Sequence, residues 1–133
     1  MAGSFFDTNV LLYLASGNTT KADRAEELIA SGGAISVQVL NEIANVGRRK
    51  MTLSWTDLHA FLGMFRSLLD VKPVTLAIHE QGLILAERYT LSTFDAMIVA
   101  SALDADCDRL WSEDMHHGLV IDTRLRIENP FRA

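Results

Sequence analysis

Short apolar runs alternate along the chain with longer segments in which apolar residues recur at helical spacing. The short runs predict strands over residues 3–6, 34–36, 71–74, 109–111 and 119–121. The longer segments predict helices over residues 8–15, 21–30, 37–49, 54–69, 76–89 and 93–103. Strands and helices that alternate in this way are joined by right-handed crossovers. The pattern therefore predicts an α/β fold with a short-stranded parallel sheet covered by helices on both faces.

Polar residues at the ends of these segments indicate where the helices begin and end. Thr20 and Ser92 are suited to cap the helices that follow them, and Ser54 opens a segment that resembles a capping box. Gly32 and Gly33 are predicted to end the second helix. The loops between these boundaries are short, and none has the composition of a linker that would divide the chain.

Composition limits this picture without assigning a function. A length of 133 residues, 49% of them hydrophobic and 22% charged, fits one domain over residues 1–133 with its own core. No apolar run approaches the roughly 20 residues that span a bilayer, so no membrane association is expected. Cys107 is the only cysteine, which excludes an internal disulfide and predicts a reducing, cytoplasmic location.

The net charge of −5 does not favour a protein that binds nucleic acid through a basic surface. Acidic residues can instead be crowded at one place, where a divalent cation neutralises them. The chain has one basic run, Arg48 to Lys50, which is either a phosphate contact or a cationic helix end. Charge alone therefore does not decide between nucleic-acid binding through basic residues and cation binding by crowded acidic residues.

Four acidic residues fall where the predicted sheet would bring them together. Asp7 follows the first strand, Asp114 follows the fourth, and Glu42 lies early in the helix after the second. Asp95 opens a helix that is apolar on nearly all sides. Functional clefts of open parallel sheets lie beyond the carboxyl ends of the strands. We therefore predict that these four residues share one cleft, and we call Asp7, Glu42, Asp95 and Asp114 the acidic quartet.

Each member of the acidic quartet also has a purely structural interpretation. Asp7 is a good helix N-cap, Glu42 fits a solvated helix stripe, and Asp95 is placed to cap the helix that it opens. Asp114 lies in a loop beside Glu113, and in a locally extended chain only one of these two neighbours faces the cleft. The residue pattern by itself leaves that choice open.

A cluster of carboxylates without thiolates fits a hard divalent cation. Uncompensated carboxylates repel one another, and some of them then stay protonated. Oxygen ligands of this kind suit Mg²⁺ or Mn²⁺, which neutralise charge on a phosphoryl oxygen and lower the pKa of a bound water. His116 and His117 are expected in a surface turn, because a histidine-based site would need further partners. The acidic quartet therefore favours hydrolysis of phosphodiester bonds.

Short segments around the acidic quartet carry a resemblance to a known family. They are Phe-Asp-Thr-Asn-Val-Leu at residues 6–11, Ser-Val-Gln-Val-Leu-Asn-Glu at 36–42, Phe-Asp-Ala-Met-Ile-Val-Ala at 94–100 and Ser-Glu-Asp-Met at 112–115. These segments resemble the PIN-domain nucleases, particularly the VapC-type toxins of bacterial and archaeal toxin–antitoxin pairs. Residues 126–131, Arg-Ile-Glu-Asn-Pro-Phe, are similar to the ending of one subgroup. The resemblance covers essentially the whole chain.

The resemblance implies a three-layer α/β/α sandwich and a metal-dependent endoribonuclease. Its substrate would be structured RNA of the transfer or ribosomal class. By the same resemblance, Asp7, Asp95 and Asp114 would hold Mg²⁺ or Mn²⁺, and Glu42 would orient or deprotonate the attacking water. The family register also selects Asp114 rather than Glu113 as the fourth acid.

Supporting residues and partners follow from the same resemblance. Thr8, Asn9 and Ser112 match small polar residues that support the site, and we add Arg48 as a candidate RNA contact. The family implies a homodimer and a cognate antitoxin protein that covers the cleft. These remain expectations from the sequence.

Two other functions remain open. A catalytically inactive PIN-like interaction module would keep its acids for capping and solubility and would act by binding a protein partner. The charge of −5 supports that alternative. A phosphoryl-transfer enzyme with Asp7 as nucleophile would need a second aspartate two residues later, where the chain has Asn9. Metal binding by the acidic quartet separates the nuclease from the inactive module.

Overall fold

The computed structural model describes residues 3–132 of the chain. Within them the strands are β1 (Gly3–Phe6), β2 (Ala34–Ser36), β3 (Asp70–Lys72), β4 (Cys107–Trp111), β5 (Val120–Ile121) and β6 (Leu125–Glu128). The α-helices are α1 (Thr8–Leu12), α2 (Thr19–Ala30), α3 (Val37–Arg49), α4 (Trp55–Leu68), α5 (Leu76–Tyr89) and α6 (Thr93–Asp104). A 3₁₀ turn, Tyr13–Ala15, continues α1. None of the helices in this part of the chain is long and apolar enough to cross a membrane.

The strands form one mostly parallel sheet in the order β3-β2-β1-β4-β6-β5, and helices flank it as the α/β/α sandwich predicts. β1 lies between β2 and β4 and is parallel to both, so the carboxyl ends of these three strands meet at one edge. Phe6 is in register with Trp111, and the Asp7 N–H donates to the Trp111 carbonyl at 2.9 Å. The next residues, Asp7 and Ser112, therefore lie side by side.

The sheet is parallel, as expected from the sequence, except at one edge. β6 is not among the predicted elements, and it pairs antiparallel with β5 through a tight turn at Asp122 and Thr123. Both residues have positive φ, 50° and 57°, and the Arg124 N–H donates to the Ile121 carbonyl at 2.9 Å. Such turns usually contain Asn-Gly or Asp-Gly, and a β-branched threonine rarely adopts positive φ. The hairpin therefore has little local sequence signature.

Most other boundaries agree with the prediction, and β1, β2, α3 and α5 have the predicted bounds. α2 starts two residues earlier than expected, because Asn18 rather than Thr20 accepts the capping hydrogen bond from the Lys21 N–H at 3.1 Å. Asparagine is at least as good an N-cap as threonine, so the earlier start is physically reasonable. The predicted first helix is divided, since α1 ends at Leu12 and the rest is the 3₁₀ turn.

α6 is a buried helix that carries Asp95 in its first turn. All residues from 96 to 103 are buried, and the helix packs against β2, β4 and α5. When a helix is apolar and buried on all sides, a charged side chain can reach solvent only near the ends of that helix. Asp95 is accordingly half-buried at the edge of the core, close to the carboxyl ends of the strands.

Gly33 joins α2 to β2 in a conformation that excludes a side chain. Its φ is 145°, and a Cβ there would lie 2.7 Å from the Ser4 carbonyl oxygen and 2.7 Å from Phe6 Cε2. We expect Gly33→Ala to lower the free energy of unfolding by about 2 kcal/mol, because backbone strain and overpacking both oppose folding. Urea unfolding of the purified proteins measures this loss.

Two other glycines provide matched controls for that substitution. Gly32 also has positive φ, at 82°, but a Cβ there would meet nothing within 4 Å, so Gly32→Ala isolates the backbone strain. Gly17 has open space and no such φ, so Gly17→Ala should change stability little. A Gly33→Ala protein as stable as Gly17→Ala would contradict the close packing described between β1 and β2.

Candidate active site

Asp7 is held by three donors at the end of β1. It is only 4% exposed and it caps α1, with Oδ1 accepting the Thr8 N–H at 2.8 Å. Oδ2 accepts the Ser112 hydroxyl at 2.7 Å and the Asn9 amide at 2.9 Å. Asp7 Oδ1 therefore caps α1, as the structural interpretation predicts. Asp7 Oδ2 instead belongs to a polar network that joins the ends of β1 and β4.

The Asp7 carboxyl is in an environment that disfavours its charge. Burial raises its pKa from 3.8 to about 6, the donors Ser112 and Thr8 act in the opposite direction, and the charges of Asp95 and Glu42 raise it further. Among residues 3–132, no Lys, Arg or His forms a salt bridge with any member of the acidic quartet. A buried carboxylate without a counter-charge lowers the stability of the folded protein. A cation bound beside Asp7 would offset this cost.

Glu42 lies about one turn into α3 and is half-buried. Its Oε1 accepts the Thr8 hydroxyl at 2.7 Å, and its Oε2 accepts the Gln38 amide at 2.8 Å. Thr8 therefore donates its backbone N–H to Asp7 and its hydroxyl to Glu42. The i, i+4 spacing of Gln38 and Glu42 was the sequence signal for this pairing, although the prediction did not include Gln38 in the site.

Asp95 does not cap α6 with its own carboxylate. Ser92 is the N-cap, as predicted, and its hydroxyl accepts the Asp95 N–H at 3.2 Å. Partial burial raises the pKa of the Asp95 carboxyl, the Ser92 hydroxyl lowers it, and the charges of Glu42 and Asp114 raise it again. The Asp95 carboxylate thus interacts electrostatically with acids from α3 and from the loop after β4, as well as with Asp7.

The loop after β4 directs Asp114 and Glu113 to different places. Asp114 is exposed, and its Oδ2 accepts the same Asn9 amide that donates to Asp7, at 3.2 Å. Glu113 instead forms an ion pair with Lys21 and accepts the Tyr13 hydroxyl at 2.5 Å. Partial burial acts to raise the pKa of Glu113, but these two donors hold it below its usual value. Of the two neighbours, Asp114 is the one that shares a donor with Asp7.

Arg48 lies at the far end of α3 and already has partners. Its guanidinium stacks over the Trp55 ring at 4.2 Å and donates to the Leu53 carbonyl at 2.7 Å. These contacts join α3 to α4, and a contact between Arg48 and RNA would use the N–H donors that the Leu53 carbonyl does not engage. His117 lies elsewhere, accepting the Asn129 N–H on its Nδ1 at 2.9 Å.

The carboxylate oxygens of the acidic quartet are the kind of ligand that a hard cation prefers, although they are not arranged around a single point. They are carboxylate oxygens with raised pKa values at Asp7 and Asp95. No three His, Cys, Asp or Glu side chains in the described part of the chain converge as a metal-binding group. Asp7 Oδ1 accepts one hydrogen bond, which leaves it a lone pair for a cation.

Comparison with known proteins identifies what the chain is similar to. The sequence matches the family described as PIN domain over residues 4–118. No curated protein matches it. The fold is similar to a chain of a toxin–antitoxin complex from Klebsiella pneumoniae, with a TM-score of 0.73 and 21% identity over 98% of this chain and 99% of that one.

Two further solved structures have the same fold. A chain of the DNA-bound VapBC complex from Salmonella typhimurium has a TM-score of 0.70 and 23% identity over 98% of this chain and 99% of that one. VapC20 of Mycobacterium tuberculosis, described as a sarcin-ricin loop cleaving toxin, has a TM-score of 0.66 and 22% identity over 84% of this chain and 89% of that one. At these identities the similarity shows a shared fold.

Proposed function

The chain belongs to the PIN domain family, and from this premise we propose that it is a divalent-metal-dependent endoribonuclease, the toxin of a toxin–antitoxin pair. The observation that carries the proposal is the placement of the acidic quartet at one edge of the sheet, where shared hydrogen-bond donors and mutual charges connect its members. Its members come from four separate segments and have no salt-bridge partner among the described residues, and burial together with the charges of neighbouring members raises the pKa values of Asp7 and Asp95. Strongly perturbed acids in a cleft are a common feature of catalytic sites.

In this proposal Asp7, Asp95 and Asp114 hold Mg²⁺ or Mn²⁺. When bound, such a metal supplies charge neutralisation at the scissile phosphate and a water of lowered pKa. Glu42 orients the attacking water or takes its proton, and the Thr8 hydroxyl fixes the Glu42 oxygen that it donates to. Attack of this water on the phosphorus forms one P–O bond and breaks the P–O bond to the leaving oxygen, which takes up a proton, so the phosphodiester is hydrolysed without a covalent intermediate on the protein.

The supporting residues act by keeping Asp7 in one orientation. The Ser112 hydroxyl and the Asn9 amide donate to its Oδ2, and Asn9 also accepts the Glu113 N–H on its Oδ1 at 3.0 Å. Asn9 therefore connects Asp7 to the loop that carries Asp114. Through its amide group Asn9, which lies on α1, therefore supports both Asp7 and Asp114.

The substrate and partners rest on the family resemblance and on the relatives. We propose structured RNA of the transfer or ribosomal class as substrate, a cognate antitoxin as protein partner, a homodimer as the functional form and the cytoplasm as its location. The toxin–antitoxin complexes with this fold and the sarcin-ricin loop cleaving toxin support the first two of these.

Cleavage of RNA with and without metal tests the proposal. Purified protein incubated with transfer and ribosomal RNA should cleave at defined sites in Mg²⁺ or Mn²⁺, and chelator should abolish the cleavage. Glu42→Gln should lower kcat about 100-fold or more, because the amide cannot take a proton. The exposed Glu26 of α2 gives a matched control, and Glu26→Gln should cleave at the wild-type rate. Cleavage that persists in chelator would overturn the metal assignment.

The inactive interaction module remains the second candidate, and one observation favours it. The carboxylates of Asp7 and Glu42 are already hydrogen-bonded, and the described residues contain no preformed metal-binding group. A protein of this kind would bind its partner but would cleave none of the RNAs above. It would also show no uptake of Mg²⁺ or Mn²⁺ by calorimetry at about millimolar metal.

A further inference from the structure

Phe94, the residue before Asp95, is an exposed aromatic side chain beside the acidic quartet. Its side chain is 69% exposed, whereas Phe5, Phe6 and Phe65 are fully buried. A single exposed apolar residue is common and needs no explanation by itself. The position of Phe94 is what gives it significance, because its Cα is about 3.8 Å along the chain from that of Asp95.

Phe94 lines an open cleft of about 530 Å³ whose other walls are two acids and three neutral amides. We call this space the Phe94 cleft; its remaining lining residues are Gln38, Asn41, Glu42, Asn45 and Asp95. No lysine or arginine lines it. Its volume is in the range of ordinary ligand sites, and its lining combines one aromatic face with donors and acceptors of hydrogen bonds.

Gln38 fixes the Phe94 cleft relative to the acidic quartet. Its Nε2 donates to Glu42 Oε2 at 2.8 Å and to the Phe94 carbonyl oxygen at 3.0 Å. The start of α6 is thereby tied to α3. Asn41 and Asn45 are exposed one turn apart on the same helix, so their amides are available to a ligand. The aromatic ring, the amides and the acids are therefore parts of one continuous surface.

We infer that the Phe94 cleft binds one unpaired nucleobase of the RNA, stacked on the Phe94 ring beside the phosphate that the acidic quartet cleaves. The inference rests on the proposed function. Aromatic side chains stack on the face of any base, and side-chain amides match the donors and acceptors of base edges. A further phosphate fits this cleft less well than a neutral base does, because none of the described residues that line it is a lysine or an arginine. A purely apolar protein surface would leave the amides and carboxylates buried without partners.

An RNA without the stacking base provides the test. The cleavage site is first mapped in transfer or ribosomal RNA and then placed in a synthetic stem-loop. Matched stem-loops carry an abasic nucleotide on one or the other side of that site. Wild-type protein should cleave the intact stem-loop about 5-fold to 150-fold more efficiently, in kcat/KM, than one of the abasic forms.

Substitutions at Phe94 complete the test. Phe94→Trp should keep the preference for the intact stem-loop, and Phe94→Leu should lose most of it, because leucine has no π face. Both proteins should unfold at the wild-type temperature, since the ring is exposed. Without metal, the intact stem-loop should also quench the added tryptophan fluorescence of Phe94→Trp, and the abasic one should not.

The results separate failure of this inference from failure of the proposed function. If wild-type protein cleaves RNA and Phe94→Leu retains the full preference for the intact stem-loop, the base site is wrong and the nuclease stands. If Phe94→Leu cleaves normally but loses self-association, the surface is a protein interface and the inference is overturned. If no RNA is cleaved in Mg²⁺ or Mn²⁺, the proposed function fails and this inference falls with it.

Discussion

Asp7→Asn is expected to abolish RNA cleavage and, in the absence of metal, to make the protein more stable than the wild type. Cleavage should fall by about 10³-fold or more, because asparagine cannot supply the charge that holds a cation at the end of β1. The free energy of unfolding at pH 7.5 should rise by about 1 kcal/mol, because burial and the neighbouring charges of Asp95 and Glu42 disfavour ionised Asp7. The asparagine oxygen can still accept the Thr8 N–H.

Urea unfolding in chelator and RNA cleavage in Mn²⁺ measure the two halves of this prediction on the same preparations. Asp23 of α2 is exposed, so Asp23→Asn makes the same chemical change away from the cleft and should leave both quantities unchanged. An Asp7→Asn protein that cleaves at the wild-type rate removes Asp7 from catalysis. An inactive variant that is also much less stable contradicts the predicted gain and indicates that the Asp7 carboxylate stabilises the fold through the bonds that its Oδ2 accepts from Ser112 and Asn9.

The metal-free protein is expected to become more stable as the pH falls from 7.5 to 5. The Asp7 carboxyl has a pKa of about 6 in the folded protein and 3.8 as its ordinary value, so the folded state binds the proton more tightly. Stability therefore rises as the pH falls through 6, and the gain over this window is about 1.4 kcal/mol. Asp95, whose pKa is also raised, contributes in the same direction.

The Asp7→Asn protein serves as the control for this pH dependence, because both proteins contain the same histidines. Its stability should change with pH by about 1.4 kcal/mol less than that of the wild type between pH 5 and 7.5. Glu113, whose pKa is lowered, loses its contribution only at more acidic pH, which is why the window stops at 5. Identical pH profiles for the two proteins would show that Asp7 is not the group responsible.

The position of the site could be predicted because it follows from chain topology. Asp7 and Ser112 each follow a strand, and parallel pairing of β1 with β4 is enough to place them side by side. Glu42 could be placed because the polar stripe of α3 follows a regular helical period. Asp95 stands out because a charged residue in an apolar helix needs an unusual environment.

Features that depend on single long-range contacts could not be predicted in the same way. The different orientations of Glu113 and Asp114 depend on Lys21 and Tyr13, which lie about a hundred residues earlier in the chain and bind Glu113. No local pattern contains that information. The exposure of Phe94 likewise depends on how the start of α6 meets α3, which the helical period alone does not specify.

Calorimetric titration with Mn²⁺ tests the central claim most directly, namely that carboxylates from distant parts of the chain form one cation site. We expect saturable binding to the wild type at about millimolar metal or below, and loss of that binding in both Asp7→Asn and Asp95→Asn. Asp23→Asn should bind like the wild type. Absence of binding to the wild-type protein, or binding that survives both substitutions at the cleft, would contradict the claim.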